Sequence, residues 1–232
     1  MALAFRGNRL RARSVLPAIV LNMDSREHTP RLLLIVREQL RPGTEDDYAE
    51  NELQIAAACA RFECPHPYLA LASQAEPGEI WWLNAFASEE EKDQVGAAYS
   101  RNESLMAALR PLGARKESFR VALRTTLTAY RSDVSREGTW RIGGARFFVV
   151  NPAGVREAIG SLFESPDGDR FDIASAESRV GAERLAARSP GSLILAVQPQ
   201  WSYPDPAWVA ADPDFWASNV AAGGASGSRD LS

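Results

Sequence analysis

A chain of 232 residues with 26 basic and 30 acidic groups, a formal net charge of -4, 45% hydrophobic and 24% charged residues has the proportions of one large or two small globular domains. Collagen, long disorder and a disulfide scaffold are excluded. No apolar run approaches the ~20 residues that cross a bilayer, and the slightly acidic balance leaves no electrostatic footprint for nucleic acid. The expectation is a soluble protein with neither membrane nor nucleic acid as partner. Cys59 and Cys64 lie close together instead of stapling distant segments, which favours a reducing, cytoplasmic compartment.

Residues 1–29 read as a basic arm. Arg6, Arg9, Arg11 and Arg13 precede the apolar stretch Val15 to Leu21, a superficial likeness to a signal peptide. Pro17 interrupts that stretch and Leu21-Asn22-Met23 lacks small residues for cleavage, so the arm, or a true start at Met23, is the reading kept.

Arg31 to Val36 is a short apolar run bounded by Pro30 and by Arg41-Pro42-Gly43, as expected of a central strand. Thr44 then predicts an N-cap, followed by a helix to about Glu63 with Tyr48, Ile55, Cys59 and Phe62 on its inner stripe. Cys64-Pro65-His66-Pro67 cannot continue it, because each proline lacks an N–H and biases its predecessor away from helix. Tyr68 to Ser73 and Glu79 to Phe86 read as a hairpin through Glu76-Pro77-Gly78.

Ser88-Glu89-Glu90-Glu91 is a capping box, opening a second helix with Val95, Tyr99, Asn102, Leu105, Met106 and Leu109 inward and a stop at Pro111 and Gly113. From Phe119 to Thr128 apolar and polar residues alternate, predicting a half-buried strand with Phe119, Val121, Leu123, Thr125 and Leu127 on one face.

The fold class is therefore α+β: a ferredoxin-like βαββαβ unit over residues 30–132, an antiparallel sheet with both helices on one face. The second face of that sheet carries large side chains from Ile80 to Phe86 and must be covered. Residues 138–200 supply a degraded version of the same order. Strands are expected at Trp140 to Ile142, Arg146 to Val150, Arg170 to Ile173 and Ser192 to Val197, and helices at Val155 to Phe163 and Ala174 to Arg188. An intrachain pseudo-dimer closing an α+β barrel is preferred. The alternative is one half with an appended subdomain and a second chain, a homodimer. Residues 201–232 form a tail, irregular and aromatic through Trp201, Tyr203, Trp208, Phe215 and Trp216, then Gly/Ser-rich from Ala221.

No dinucleotide, P-loop, zincin, α/β-hydrolase or thioredoxin motif is present. Cys59, Cys64 and His66 lack a fourth ligand, so no metal site is assigned. The aspartates at 205, 212 and 214 are explained by turns beside prolines. The candidate catalytic residues are His66, held between two prolines, Asn84, an amide among Ile80, Trp82 and Phe86, and Arg124, able to fix a carboxylate or phenolate. Tyr68 and Trp82 are the candidate substrate-binding aromatics. Each also has a plain structural reading: a turn histidine, a strand-edge amide, a surface ion pair, core aromatics.

The βαββαβ order with the aromatic strand Ile80-Trp81-Trp82-Leu83-Asn84 resembles the dimeric α+β barrel superfamily that includes antibiotic-biosynthesis-type monooxygenases. The resemblance covers about residues 31–131. It implies two sheets packed face to face and a small-molecule ligand lying between a sheet and its helices or in the barrel. It also implies a cofactor-independent oxygenation in which the substrate anion supplies the electron to oxygen. The order of His66, Trp82 and Asn84 departs from that of haem-degrading relatives, and no cofactor is expected. The competing expectation is a non-catalytic binding or assembly module whose barrel is filled with side chains.

Overall fold

The computed structural model describes residues 29–136, 138–152 and 158–217. In chain order it contains β1 (Leu32–Leu40), α1 (Glu45–Arg61), β2 (Leu69–Ser73), β3 (Glu79–Phe86), α2 (Glu89–Arg101), α3 (Glu103–Phe119) and β4 (Arg120–Tyr130). A second series follows: β5 (Phe147–Asn151), β6 (Ser161–Glu164), β7 (Arg170–Ala176), α4 (Arg179–Ala187), β8 (Leu193–Val197), α5 (Pro206–Ala211) and α6 (Pro213–Trp216).

The strands close an antiparallel barrel in the order β1-β3-β2-β8-β5-β7-β6-β4. Within it, β4-β1-β3-β2 and β8-β5-β7-β6 have the same internal arrangement, fourth strand, first, third, second. The two halves meet where β2 pairs with β8 and β4 pairs with β6, so each fourth strand joins the other half's second. The chain is thus its own pseudo-dimer, an α+β barrel completed by a degenerate second half.

Because strand residues alternate in direction, the sheet of the first half has two faces with separate jobs. Leu33, Ile35, Leu69, Leu71, Trp81 and Leu83 point into the barrel, where they meet Trp140, Phe148, Val150, Phe163, Phe171 and Trp216 from the second half. The outer face, with Ile80, Trp82, Phe86, Ala70 and Leu40, packs under the helices of the first half. A smaller cluster, Val149, Ala174, Ala176 and Ala182, lies under α4. No helix among the described residues is long and apolar enough to cross a membrane.

Several expectations need correction. Thr44 stands before α1 but its hydroxyl donates to the carbonyls of Arg41 and Phe119 and caps nothing. The second helix is two helices broken at Asn102, whose side chain caps α3 by accepting from the Leu105 amide at 3.1 Å. Pro111 and Gly113 then lie inside α3. Pro111 removes a hydrogen bond to Ala107, and both residues are exposed, so solvent can satisfy the freed carbonyl.

In β4 the face read as buried is outward and open: Val121 is 56% and Leu123 48% exposed, while Thr126 and Thr128 face inward. The region from Trp140 to Ile142 forms no strand, although Trp140 is buried in the barrel core. Ser161 to Phe163, read as the end of a helix, belongs to β6, while part of that predicted helix lies outside the described residues. Gly160 explains the local shape: a Cβ there would collide with the Ile173 carbonyl on β7, so only glycine permits the approach.

Ala174 to Ala176 likewise belong to β7, and α4 begins after Ser178. The tail is not irregular: Asp205 and Asp212 cap α5 and α6, each followed by a proline at the first turn, and Trp216 Nε1 donates to the Gly143 carbonyl at 3.1 Å. The basic arm and the Gly/Ser-rich end lie outside the described residues.

Candidate functional site: a cleft beside Asn84 and a buried charge cluster

The register of β3 against β1 pairs Asn84 with Leu34, Trp82 with Val36 and Phe86 with Leu32, setting all of these on the helix-facing side. Over them passes α2, where Ser88 caps as expected by accepting from the Glu91 amide, while the Glu91 carboxylate turns back one residue further, to the Ala87 amide instead of that of Ser88. None of the residues of α2 is fully buried. The helix therefore roofs the sheet without sealing it, leaving an open cleft of about 540 Å³ lined by Leu34, Asn84, Phe86, Lys92, Val95 and Tyr99 among others.

Asn84 is half-buried at the floor of this cleft, and its amide has no side-chain hydrogen bond to any described residue. An amide set between apolar neighbours without a partner remains available to a ligand. Lys92, on the α2 wall, is the cleft's cation and is ion-paired with Asp93 at 2.7 Å and Glu89 at 3.3 Å. Above Gly96 a Cβ would meet nothing, so the roof there is open.

His66 is 4% exposed and does not line the cleft. Its ring lies flat on Phe86, centroids 4.5 Å apart and planes 10° from parallel. Burial holds its pKa below the ordinary value, outweighing the attraction of Glu91 and Asp205, so the ring is neutral at pH 7. Tyr68 is buried; its hydroxyl donates to Cys59 Sγ at 3.6 Å, and burial pushes its pKa well up. Cys64 Sγ sits 2.8 Å from the Tyr99 hydroxyl, and contact with Cys59 pulls its thiol down, while that same contact and burial push Cys59 up.

Arg124 is not brought to this group. It projects from the other face of the sheet, is exposed, and pairs with Asp169 of the β6–β7 turn at 2.5 Å.

Trp82 belongs to a different constellation, one that the sequence reading missed. Its Nε1 donates to Glu38 Oε2 at 3.0 Å, the Tyr48 hydroxyl donates to the same oxygen at 2.5 Å, and Arg120 holds Glu38 Oε1 at 2.8 Å. Lys116 Nζ lies 4.0 Å over the Trp82 ring and 3.0 Å from both Glu38 Oε2 and Glu52 Oε1. Burial alone would raise Glu38, but Lys116 and the hydrogen bonds from Tyr48, Lys116 and Trp82 win and hold it below the usual carboxylate range. Glu52 is 1% exposed, and burial together with the repulsion of Glu38 outweighs Lys116 and the Tyr48 hydroxyl, so its pKa is pushed up to about 7. The available signal was spacing: Glu52 falls on the stripe Tyr48, Ile55, Cys59 of α1.

The sequence matches no family model and no curated protein. Among solved structures it is similar in chain trace to a provisionally assigned monooxygenase of Fusobacterium nucleatum, at 6% identity and TM-score 0.46, covering 73% of this chain and 93% of that one. It is also similar to an anthrone oxidase-like protein, at 14% identity and TM-score 0.44, covering 82% and 86%. A NIPSNAP family protein of Agrobacterium tumefaciens is similar over 45% of this chain and 90% of that one, at 10% identity and TM-score 0.35. No residue role is taken from these likenesses.

Proposed function

We propose that this chain binds a small, largely apolar molecule in the cleft between β3 and α2, with the Asn84 amide and the Lys92 ammonium as its polar contacts. The observation that carries the reading is the unpartnered Asn84 amide on the floor of a cleft of about 540 Å³. Leu34 and Phe86 supply apolar floor, Val95 and Tyr99 apolar wall, and the two polar groups suit a phenol or its anion.

The finer proposal is cofactor-independent oxygenation of such a phenolic or polyketide-like compound. The bound anion would pass an electron to dioxygen, while Asn84 and Lys92 stabilise the negative charge that moves between them. Lys92 here takes the part expected of Arg124, and His66 acts only through Phe86, against which it stacks.

A second reading has its own support. The barrel interior is packed with Trp81, Trp140, Phe148, Phe163 and Trp216, which favours a binding or assembly module without catalysis. Titration of 2-naphthol followed by amide NMR, with oxygen uptake measured over an anthrone and hydroquinone panel, separates the readings. Binding lost in Asn84→Leu, together with uptake above blank, is the expected result for the enzyme. Binding without uptake favours the module, and absence of binding by the whole panel overturns the proposal.

A further inference from the structure

The two halves of the barrel each carry a helix after their third strand, and each of those helices starts at a serine. Ser88 accepts from the Glu91 amide at the head of α2, and Ser178 accepts from the Gly181 amide at the head of α4. Counted from these caps, Asn84 corresponds to Ala174, Phe86 to Ala176 and Val95 to Leu185. Ala174, Ala176 and Leu185 line a second cleft, of about 460 Å³, between β7 and α4. It is the pseudo-twofold counterpart of the cleft beside Asn84, with the amide and the aromatic ring replaced by methyl groups.

Its charge differs as well. The cleft beside Asn84 is lined by one cation, Lys92, and one carboxylate, Asp93, whereas the cleft under α4 is lined by Arg184 of that helix, Arg188 at its C-cap and Arg141 from the facing loop. All three arginines are exposed, and among the described residues none of their guanidinium groups has an ion pair or hydrogen bond. Other arginines of the same half are paired: Arg146 with Asp212, Arg170 with Glu164 and Arg179 with Glu183. Glu177 is the one carboxylate on the lining, leaving an excess of positive charge above an apolar floor.

We propose that this second cleft binds an amphipathic oxyanion, its carboxylate or phosphate head held by Arg141, Arg184 and Arg188 and its apolar body lying on Ala174, Ala176 and Leu185. Arginine suits both headgroups because its planar fork donates two parallel hydrogen bonds. The proposal does not depend on what occupies the cleft beside Asn84.

The test is calorimetric titration of the full chain with octanoate, octyl phosphate and 1-octanol at low salt. At least one anion is expected to bind ten or more times tighter than the alcohol, and the better headgroup identifies the natural one. The double substitution Arg184→Gln, Arg188→Gln should weaken the anion at least tenfold, since each charge-assisted hydrogen bond lost is about a factor of ten. Melting temperature should stay unchanged, because neither side chain has a partner to lose, and Asn84→Leu should leave anion binding intact. The proposal is overturned if neither anion binds, if octanol binds equally well, if the double variant binds as the parent does, or if Asn84→Leu is the change that removes binding.

Discussion

Lys116 Nζ lies 3.0 Å from Glu52 Oε1 and the same distance from Glu38 Oε2, so two almost fully buried carboxylates share one ammonium group, and only Glu38 has a second cation, Arg120 at 2.8 Å. The deficit falls on Glu52. Its pKa of about 7 in the folded chain stands above the ~4.3 of an unfolded glutamate. Below that lower value both states carry the proton. As pH rises from there to 7 the unfolded chain releases it first, and stability falls. Glu52→Gln should abolish this fall and make the protein more stable at pH 8, by up to about 3 kcal/mol. Urea midpoints at pH 5, 6, 7 and 8 measure it; a parent profile that is flat, or that Gln leaves unaltered, contradicts the assignment.

Removing the shared cation should do the opposite. Lys116→Met leaves the buried Glu52 without a counter-ion and Glu38 with Arg120 alone, a change of the kind that costs about 3–5 kcal/mol. Because Lys116 also sits over the Trp82 ring, tryptophan emission should shift in whatever fraction remains folded. Denaturant unfolding followed by fluorescence reads both, and the double change Lys116→Met, Glu52→Gln should recover part of the loss.

Gly160 is the sharpest steric constraint in the second half. Gly160→Ala must push β6 away from the Ile173 carbonyl and disturb Asp172, which accepts hydrogen bonds from the amides of Ile159 and Gly160 at 2.6 and 2.9 Å. A loss of about 1–3 kcal/mol or more is expected from strain of this kind. Equal midpoints for parent and variant in chemical denaturation would count against the close approach.

Asn84→Leu separates ligand from scaffold. The amide has no partner to lose, so the substitution should change stability by no more than about 0.5 kcal/mol while removing any polar ligand contact in the cleft. A large destabilisation would show that the amide serves the fold instead.

What could be read in the amino-acid order was local. The run Leu32 to Val36, the turn Glu76-Pro77-Gly78 before the apolar Glu79 to Phe86 and the serine cap at Ser88 each carry their signal within a few residues, and together they gave the βαββαβ order. The arithmetic of faces then required a covering layer, and the barrel supplies it. What could not be read depends on distant pairing. Four residues, Ser161 to Glu164, are too few to distinguish strand from helix by period; β4 and β7 decide the matter by pairing with them on either side. Glu38, Glu52 and Lys116 look like solvated charges until α1, α3 and β1 meet. Of the candidate site residues, Asn84 lines a cleft because its strand register with Leu34 is fixed by the sheet, while Arg124 went elsewhere because Asp169, far along the chain, stands beside it.

The seams between β2 and β8 and between β4 and β6 join segments of one polypeptide. Closure of this barrel is therefore a unimolecular event, with no association constant to satisfy. Its melting temperature should be the same at nanomolar as at micromolar protein, where a barrel assembled from two separate chains would loosen on dilution.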